Sequence, residues 1–351
     1  MDKISLNIYD RDLKPLGVID SYASLRWRRK FFEAGEFELS LNPTANNLKL
    51  LNYDNIIVRS DLTEDDEFGI IESWKFNDDG EKVTISVYGS FGLSLLKRRI
   101  IKTRINYSGN YIGAFRKLLT TMRAFNLLNI TDSSIESNNV DFQCTYKNVY
   151  DYHVKLSKAS NIGAKIVLDL KNKKYKYINY TGKDRTEEQK TNTRYEFSED
   201  KSNLDAAEYT YSRKNMINDV LVGGTGEDED RILRSITLVN EKTHDFDIRE
   251  AFVDAKNQSN TNLTEDDYNA ILDDLGREKL TNPTESFEAT VHSTHYRKYW
   301  DLGDIVNIKK ESWNIAQKQR ITEVEEVIEK GKYSVTPVYG TPVAEKFTNE
   351  E

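Results

Sequence analysis

The residues best placed to do chemistry in this sequence are Val220-Leu221-Val222-Gly223-Gly224-Thr225-Gly226-Glu227. A strand running into glycines suggests an anion-binding turn, which needs a helix N-terminus directly afterwards so that free amides face the phosphate. Asp228-Glu229-Asp230-Arg231 and then a strand-like stretch follow instead. Four consecutive carboxylates, Glu227 to Asp230, would repel a phosphate, so the sequence predicts a hairpin here. The same acidic run lacks the spacing of an EF-hand calcium loop and reads as a solvated turn.

Four histidines are present, His153, His244, His292 and His295. His292 and His295 lie three apart in an expected strand, which sends them to opposite faces and spoils joint metal ligation. His153 falls on an expected helix without a second ligand four residues on. Each histidine reads as satisfied or solvated. No nucleophile elbow, His-Glu-x-x-His helix or Cys–His pairing occurs. Paired carboxylates for glycan cleavage stay open, because 58 acidic residues allow many pairs and none stands out. The expectation is a non-enzymatic protein with no catalytic, cofactor-binding or metal site.

The elements that carry these residues are mostly strands. Ser24-Leu25-Arg26-Trp27-Arg28 and Glu36-Phe37-Glu38-Leu39-Ser40-Leu41 alternate, and Asn55 to Arg59 is a short apolar run. Gly69 to Phe76 and Lys82 to Tyr88 flank Asn77-Asp78-Asp79-Gly80, a strong hairpin signal. Between 110 and 127, Ile112, Phe115, Leu118, Leu119, Met122 and Phe125 take helical spacing, and a second helix fits 147–160. A hairpin follows over 164–170 and 175–180, then a charged loop over 181–194. Strands resume over 208–212, 219–222 and 232–239. Thr264 is a good N-cap for one further helix, with Asp266 and Asp267 in its first turn.

Net charge is −8, which disfavours stable binding to duplex nucleic acid. The basic runs Arg26-Trp27-Arg28-Arg29-Lys30 and Lys97-Arg98-Arg99 read as the solvated sides of a strand or helix end. Cys144 is the single cysteine and cannot form an internal disulfide. The start lacks a signal peptide and no window approaches the ~18 consecutive apolar residues of a membrane span. A protein made and folded in a cytoplasm, without a membrane anchor, is expected.

Three segments recur in order. Glu36 to Leu41 matches Ser286 to Val291 at an offset of 250, and Asn55-Ile56-Ile57 matches Asp304-Ile305-Val306 at 249. Ile70-Ile71-Glu72 through Gly80 to Gly89 matches Ile321-Thr322-Glu323 through Gly331 to Gly340 at 251. Three matches in register predict a duplicated β module. The expected fold is mainly β with an α+β lobe. Residues 1–100 form a first β-barrel, tube-like module and 101–197 an intervening α+β lobe. Residues 198–340 form a second such module with a helical insertion at about 246–282, and 341–351 form a flexible C-terminal tail.

Leu25-Arg26-Trp27 with Gly35-Glu36-Phe37-Glu38-Leu39 opens a series of motifs. Gly182-Lys183-Asp184-Arg185-Thr186, Phe197-Ser198, Asn203-Leu204 and Asn218-Asp219-Val220-Leu221-Val222-Gly223-Gly224 with Gly226-Glu227 continue it. Asp301-Leu302-Gly303-Asp304-Ile305-Val306 and Arg320-Ile321-Thr322-Glu323-Val324 complete it. Over residues 4–340 the chain resembles the tail-hub family of siphoviruses and prophages of Gram-positive bacteria, itself similar to the hubs of contractile tails. The resemblance implies a baseplate hub in a virion or tail-like particle, assembled in the bacterial host cytoplasm. It implies a homotrimer whose two barrels per chain let a threefold spike or tail tip meet a sixfold tail tube, among other baseplate proteins. DNA would pass through the lumen without specific binding, and no cofactor is implied. Some relatives continue into a hydrolase or fibre region, whereas this chain is expected to stop after the second module. Thr63, Glu64, Asp65 and Asp66, and Glu227, Asp228, Glu229 and Asp230, are the candidate interface loops, chosen for length and exposure. A tail-associated cell-wall hydrolase and a receptor-binding adhesin module are the rival readings.

Overall fold

The computed structural model describes residues 4–340 except 64, 124, 145, 259, 262 and 292. The expected tail over 341–351 lies outside the described residues, as does His292. Strand is the dominant secondary structure.

Alternation in the sequence becomes one wet and one dry face. Leu25, Trp27 and Arg29 of the strand Ser24–Lys30 point inward, as do Phe37, Leu39 and Leu41 of Glu36–Leu41. Leu6, Ile8, Ile57, Ile71, Val87 and Phe91 complete that first core. A second core gathers Phe197, Phe287, Trp300, Val306, Ile321, Val324 and Tyr339. Burying side chains of this size contributes roughly 1.5–3 kcal/mol each relative to exposure.

The duplication is present at the level of strand order. In the first copy, Ser24–Lys30, Glu36–Leu41, Val83–Phe91, Gly69–Asp78 and Ile56–Arg59 are neighbours in that sequence across the sheet. In the second, Leu204–Ser212, Thr284–Val291, Lys332–Gly340, Ile315–Glu329 and Ile305–Lys310 follow the same order. Register repeats too: Glu38 lies opposite Tyr88 and Glu288 opposite Val338, an offset of 250 on both strands. Even the β-bulge recurs, between Ile71 and Ser73 and again between Ile321 and Glu323. The offset of 251 read from the turn glycines is therefore one too many. The first hairpin closes at Asp78 opposite Val83, with Gly80 at φ +88°. The second runs one pair further, to Glu329 opposite Lys332, and turns through Lys330 and Gly331 at φ +50° and +76°. Two positive φ values make that turn match the twist of the strands, and glycine supplies one of them without strain.

The two copies belong to one continuous thirteen-stranded sheet, joined where Ser24–Lys30 pairs antiparallel with Glu323–Glu329. Between them the chain builds a lobe packed against the first copy. Its helices Tyr111–Thr121 and Val149–Ser160 are capped by Asn110 and Asn148, whose side chains accept first-turn N–H groups. Phe115, Leu118, Tyr152 and Leu156 pack with Phe68, Ile70, Leu93 and Ile166. A second excursion leaves the sheet after Ser212 and returns at Thr284. It is wider than the 246–282 expected from the helix signal. Asp219–Gly223 and Leu233–Thr237, expected in the second module's sheet, pair instead within a separate three-stranded sheet completed by Glu250–Asp254. The helix Glu265–Lys279, capped by Thr264, buries Tyr268 and Leu272 against Val220 and Val222.

Gly89 tests the tightness of the first copy. A Cβ there would stand 1.9 Å from the Ile70 carbonyl oxygen and 2.5 Å from the Phe37 ring. Gly89→Ala is expected to destabilise the protein by at least about 2–3 kcal/mol, read as a lowered urea midpoint. An unchanged midpoint would contradict this packing.

Candidate functional site

The join between the copies is where the charged residues concentrate. Arg29 is in phase with Leu25 and Trp27, so alternation carries its guanidinium inward rather than to solvent. The expected solvated basic run is thus split. Arg28 points outward to Glu325 at 2.7 Å and Lys30 reaches Glu36 at 3.2 Å, whereas Arg29 is buried. One Arg29 nitrogen donates to the Tyr296 hydroxyl at 2.8 Å and to Asp301 at 2.7 Å, and Nε faces Glu67 at 3.5 Å.

Glu326 enters the same space from the partner strand, in phase with buried Val324. Its carboxylate meets Arg59 at 2.8 Å, accepts from Tyr333 at 2.8 Å, and lies 3.6 Å from Arg297. Arg59 also forks onto Asp61 at 2.7 and 3.0 Å and stacks 5.7 Å from the Trp27 ring. Arg297 donates to Asp66 at 2.5 Å. Residues from the first copy, the second copy and the loops between their strands therefore share one buried ionic network.

Burial works against every charge in it, and the partners decide the outcome. It disfavours the Arg29 cation, but Tyr296, Asp301 and Glu67 outweigh that and raise its pKa. Burial likewise opposes the Arg59 cation, with Glu326 and Asp61 reversing the effect. For Asp66 burial pushes up, whereas Arg297 and the Thr63 N–H hold the carboxyl down at about 2. Glu67 goes the other way: burial raises it, and Arg29 offsets only part. Such networks contribute little net stability against an apolar core, yet removing one member strands its partner in a dry site. Their use is to fix which strand positions meet.

The candidate loops fall in two different places. Thr63, Asp65 and Asp66 flank the junction; Glu64 lies outside the described residues. Asp66 accepts from Thr63 and Arg297, so it is an internal tether, whereas Thr63 and Asp65 are exposed. Glu227, Asp228, Glu229 and Asp230 are exposed on the excursion, where Glu227 meets Lys256 at 2.8 Å. The structure does not bring these two groups onto one element. After the glycines comes the short turn Asp228–Asp230 and then the strand, with Arg231 donating back to the Gly223 carbonyl at 2.9 Å.

His153 is buried against the Tyr177 hydroxyl at 2.8 Å, and burial lowers its pKa to about 3, leaving it neutral. His295 sits in the turn Ser293–His295 rather than in a strand, since the strand ends at Val291, and it contacts the Tyr195 hydroxyl at 2.7 Å. Among the described residues no cluster of His, Cys, Asp and Glu is arranged to hold a metal, and no helix is long and apolar enough to cross a membrane.

Two motifs distant in sequence meet in space. The Lys183 amide donates to Asp304 at 2.7 Å, Arg185 pairs with the same carboxylate, and across the two segments the Arg185 amide donates to the Ile305 carbonyl and the Ile305 amide to the Lys183 carbonyl. A Cβ on Gly182 would collide with the Gly303 carbonyl. This clasp fastens the end of the lobe to the second copy. The sequence reading missed Arg29, Arg59, Glu67, Arg297, Asp301 and Glu326. The usable signal was phase: Arg29 and Glu326 occupy inward positions of alternating strands, where a charge needs a partner.

Glu326→Ala is expected to cost about 3–5 kcal/mol in urea unfolding, because Arg59 and Arg297 lose a buried partner. Glu325→Ala, at the half-exposed pair, should cost about 1 kcal/mol or less. Equal effects would refute the burial argument. Asp66→Asn is expected to cost about 1–3 kcal/mol at pH 7. The Asp66 carboxyl is depressed in the folded state, so its contribution is complete above its unfolded value of about 4 and disappears as pH falls through about 2. The stability gap between wild type and Asp66→Asn, followed from pH 7 to pH 2, should therefore narrow only below pH ~4.

The overall fold is similar to that of solved phage tail proteins. The 43 kDa tail protein of prophage MuSo2 from Shewanella oneidensis superposes with a TM-score of 0.60 at 12% identity, covering 98% of this chain and 100% of that one. The tail protein from Neisseria meningitidis MC58 gives 0.55 at 12% identity, with 96% of each chain covered. Prophage tail protein gp18 from Listeria monocytogenes EGD-e gives 0.51 at 13% identity, covering 97% of this chain and 94% of that one. No curated protein matches by sequence. The family described as Siphovirus ReqiPepy6 Gp37-like protein matches residues 5–341, nearly the whole of the two copies and what lies between them, and this chain belongs to that family.

Proposed function

We propose that the chain is a structural hub protein of a phage tail, prophage tail or tail-like particle, acting through assembly rather than catalysis. The observation that carries this reading is the repeat: two copies of one strand order, in one register, fused into a single sheet. A protein with two similar surfaces per chain presents six when three chains form a ring. That number suits an adaptor between a sixfold tail tube and a threefold spike or tip, since a heterologous interface repeated about an axis must close. In this reading residues 1–100 and 198–340 are the two tube-like modules, and 101–197 braces the ring from outside. The homotrimer, the tube protein, the spike or tail-tip protein and other baseplate proteins are its partners. Its place is the baseplate of the particle, after assembly in the host cytoplasm.

The net charge of −8 fits a lumen that lets DNA pass without gripping it, because like charges repel the phosphate backbone. The exposed candidate residues Thr63 and Asp65, and Glu227 to Asp230, would serve as contact points with neighbouring particle proteins.

Light scattering over a concentration range, with and without tube protein, is expected to give the mass of three chains. A strict monomer under both conditions would overturn the hub. Incubation with purified peptidoglycan is expected to release no fragments, and turnover there would instead support a tail-associated hydrolase.

A further inference from the structure

The repeat leaves one strand edge of each kind without its counterpart. In the second copy, Glu323–Glu329 is paired on both sides, by Lys332–Gly340 and by Ser24–Lys30. The equivalent stretch of the first copy, 250 residues earlier, runs from Ser73 to Asp78. Among the described pairings its only strand partner is Val83–Phe91. The complementary edge is equally bare. Ser24–Lys30 pairs on both sides, whereas its counterpart Leu204–Ser212 pairs only with Thr284–Val291. Trp27 lies opposite Phe37 and Tyr209 opposite Phe287, so this strand carries an offset of 182.

Burial shows what the bare edges lack. Val324 and Glu326 are fully buried in the internal joint. Their counterparts Trp74 and Phe76 are 39% and 46% exposed. Tyr53, itself exposed, stacks on Trp74 at 6.2 Å and extends the patch. On the other strand Arg29 is buried in the joint, whereas its counterpart Tyr211 is 55% exposed. An exposed strand edge carrying Trp and Phe invites pairing with another chain unless something covers it, and natural edges are usually blunted by charge or proline.

We propose that these two edges join neighbouring copies of this chain, in the register of the internal joint. Carrying Glu323 opposite Lys30 through the two offsets places Ser73 opposite Ser212 of the neighbour. Trp74 then faces Tyr211, Lys75 faces Thr210, Phe76 faces Tyr209 and Asn77 faces Glu208. At these inward positions the internal joint carries the charges of Arg29 and Glu326 beside Trp27 and Val324, whereas the joint between copies is aromatic throughout. This difference keeps the two from substituting for one another, since an aromatic strand in place of Ser24–Lys30 would leave buried Glu67 without Arg29. Each chain contributes one edge of each kind, so the contact is head-to-tail and must close or propagate. Closure at three chains rests on the hub reading above; the edges and the register do not.

The test uses the full chain with paired cysteines, leaving buried Cys144 in place. Two variants, Lys75→Cys with Thr210→Cys and Phe76→Cys with Tyr209→Cys, cover both spacings of an antiparallel ladder, the closer of which suits a disulfide. At least one is expected to give a reducible ladder ending at three chains on oxidation. Lys75→Cys with Glu208→Cys, slipped by two residues, is expected to give none. Trp74→Asp, at an exposed site, should convert the trimer to monomer by light scattering without altering the far-UV circular dichroism. A wild-type trimer that forms no link in either matched pair, or that persists with Trp74→Asp, would overturn the edge assignment and leave the hub standing. A wild-type chain that stays monomeric with tube protein present would remove both.

Discussion

The pairing of Ser24–Lys30 with Glu323–Glu329 is the constraint on which the molecule depends. It brings together residues 297 apart in the chain, Arg28 and Glu325, and merges two sheets into one. Backbone hydrogen bonds alone would allow the strands to slide. The buried network of Arg29, Arg59, Arg297, Glu67, Asp301 and Glu326 removes that freedom, because a one-residue slip would turn Arg29 and Glu326 to the opposite face. Such a slip would leave Glu67 in a dry site without Arg29 and would take Glu326 away from Arg59. The network is an expensive way to gain stability and an effective way to fix register.

Around that joint the copies diverge by what is inserted, while strand order is kept. In the first, Ser24–Lys30 passes to Glu36–Leu41 through a short connection. In the second, the equivalent step contains the whole excursion with its own sheet and helix. The excursion has its own small core of Val220, Val222, Tyr268 and Leu272, so it burdens the main sheet with little unburied apolar surface. Conversely, the lobe shares its core with the first copy through Phe68 and Ile70, and the Asp304 clasp ties its far end to the second. Lobe and copies are thereby held in one arrangement.

What the sequence determined alone was local and periodic. Alternation placed Leu25, Trp27, Phe37 and Leu39 inward, Asn-Asp-Asp-Gly closed a hairpin, and Thr264 capped a helix, because each depends on neighbours a few residues away. The repeat was visible for the same reason, since two copies of one local pattern resemble each other wherever they sit. Tertiary structure decided which edges meet. It assigned Asp219–Gly223 to a separate sheet although its pattern resembles any other strand, and made Arg29 a buried ion while Arg28 beside it stayed half-exposed. It also turned Asp66 from a loop residue into a tether for Arg297. Strand pairing and ion pairing are contacts between segments hundreds of residues apart, and neither propensity nor periodicity carries information about the partner.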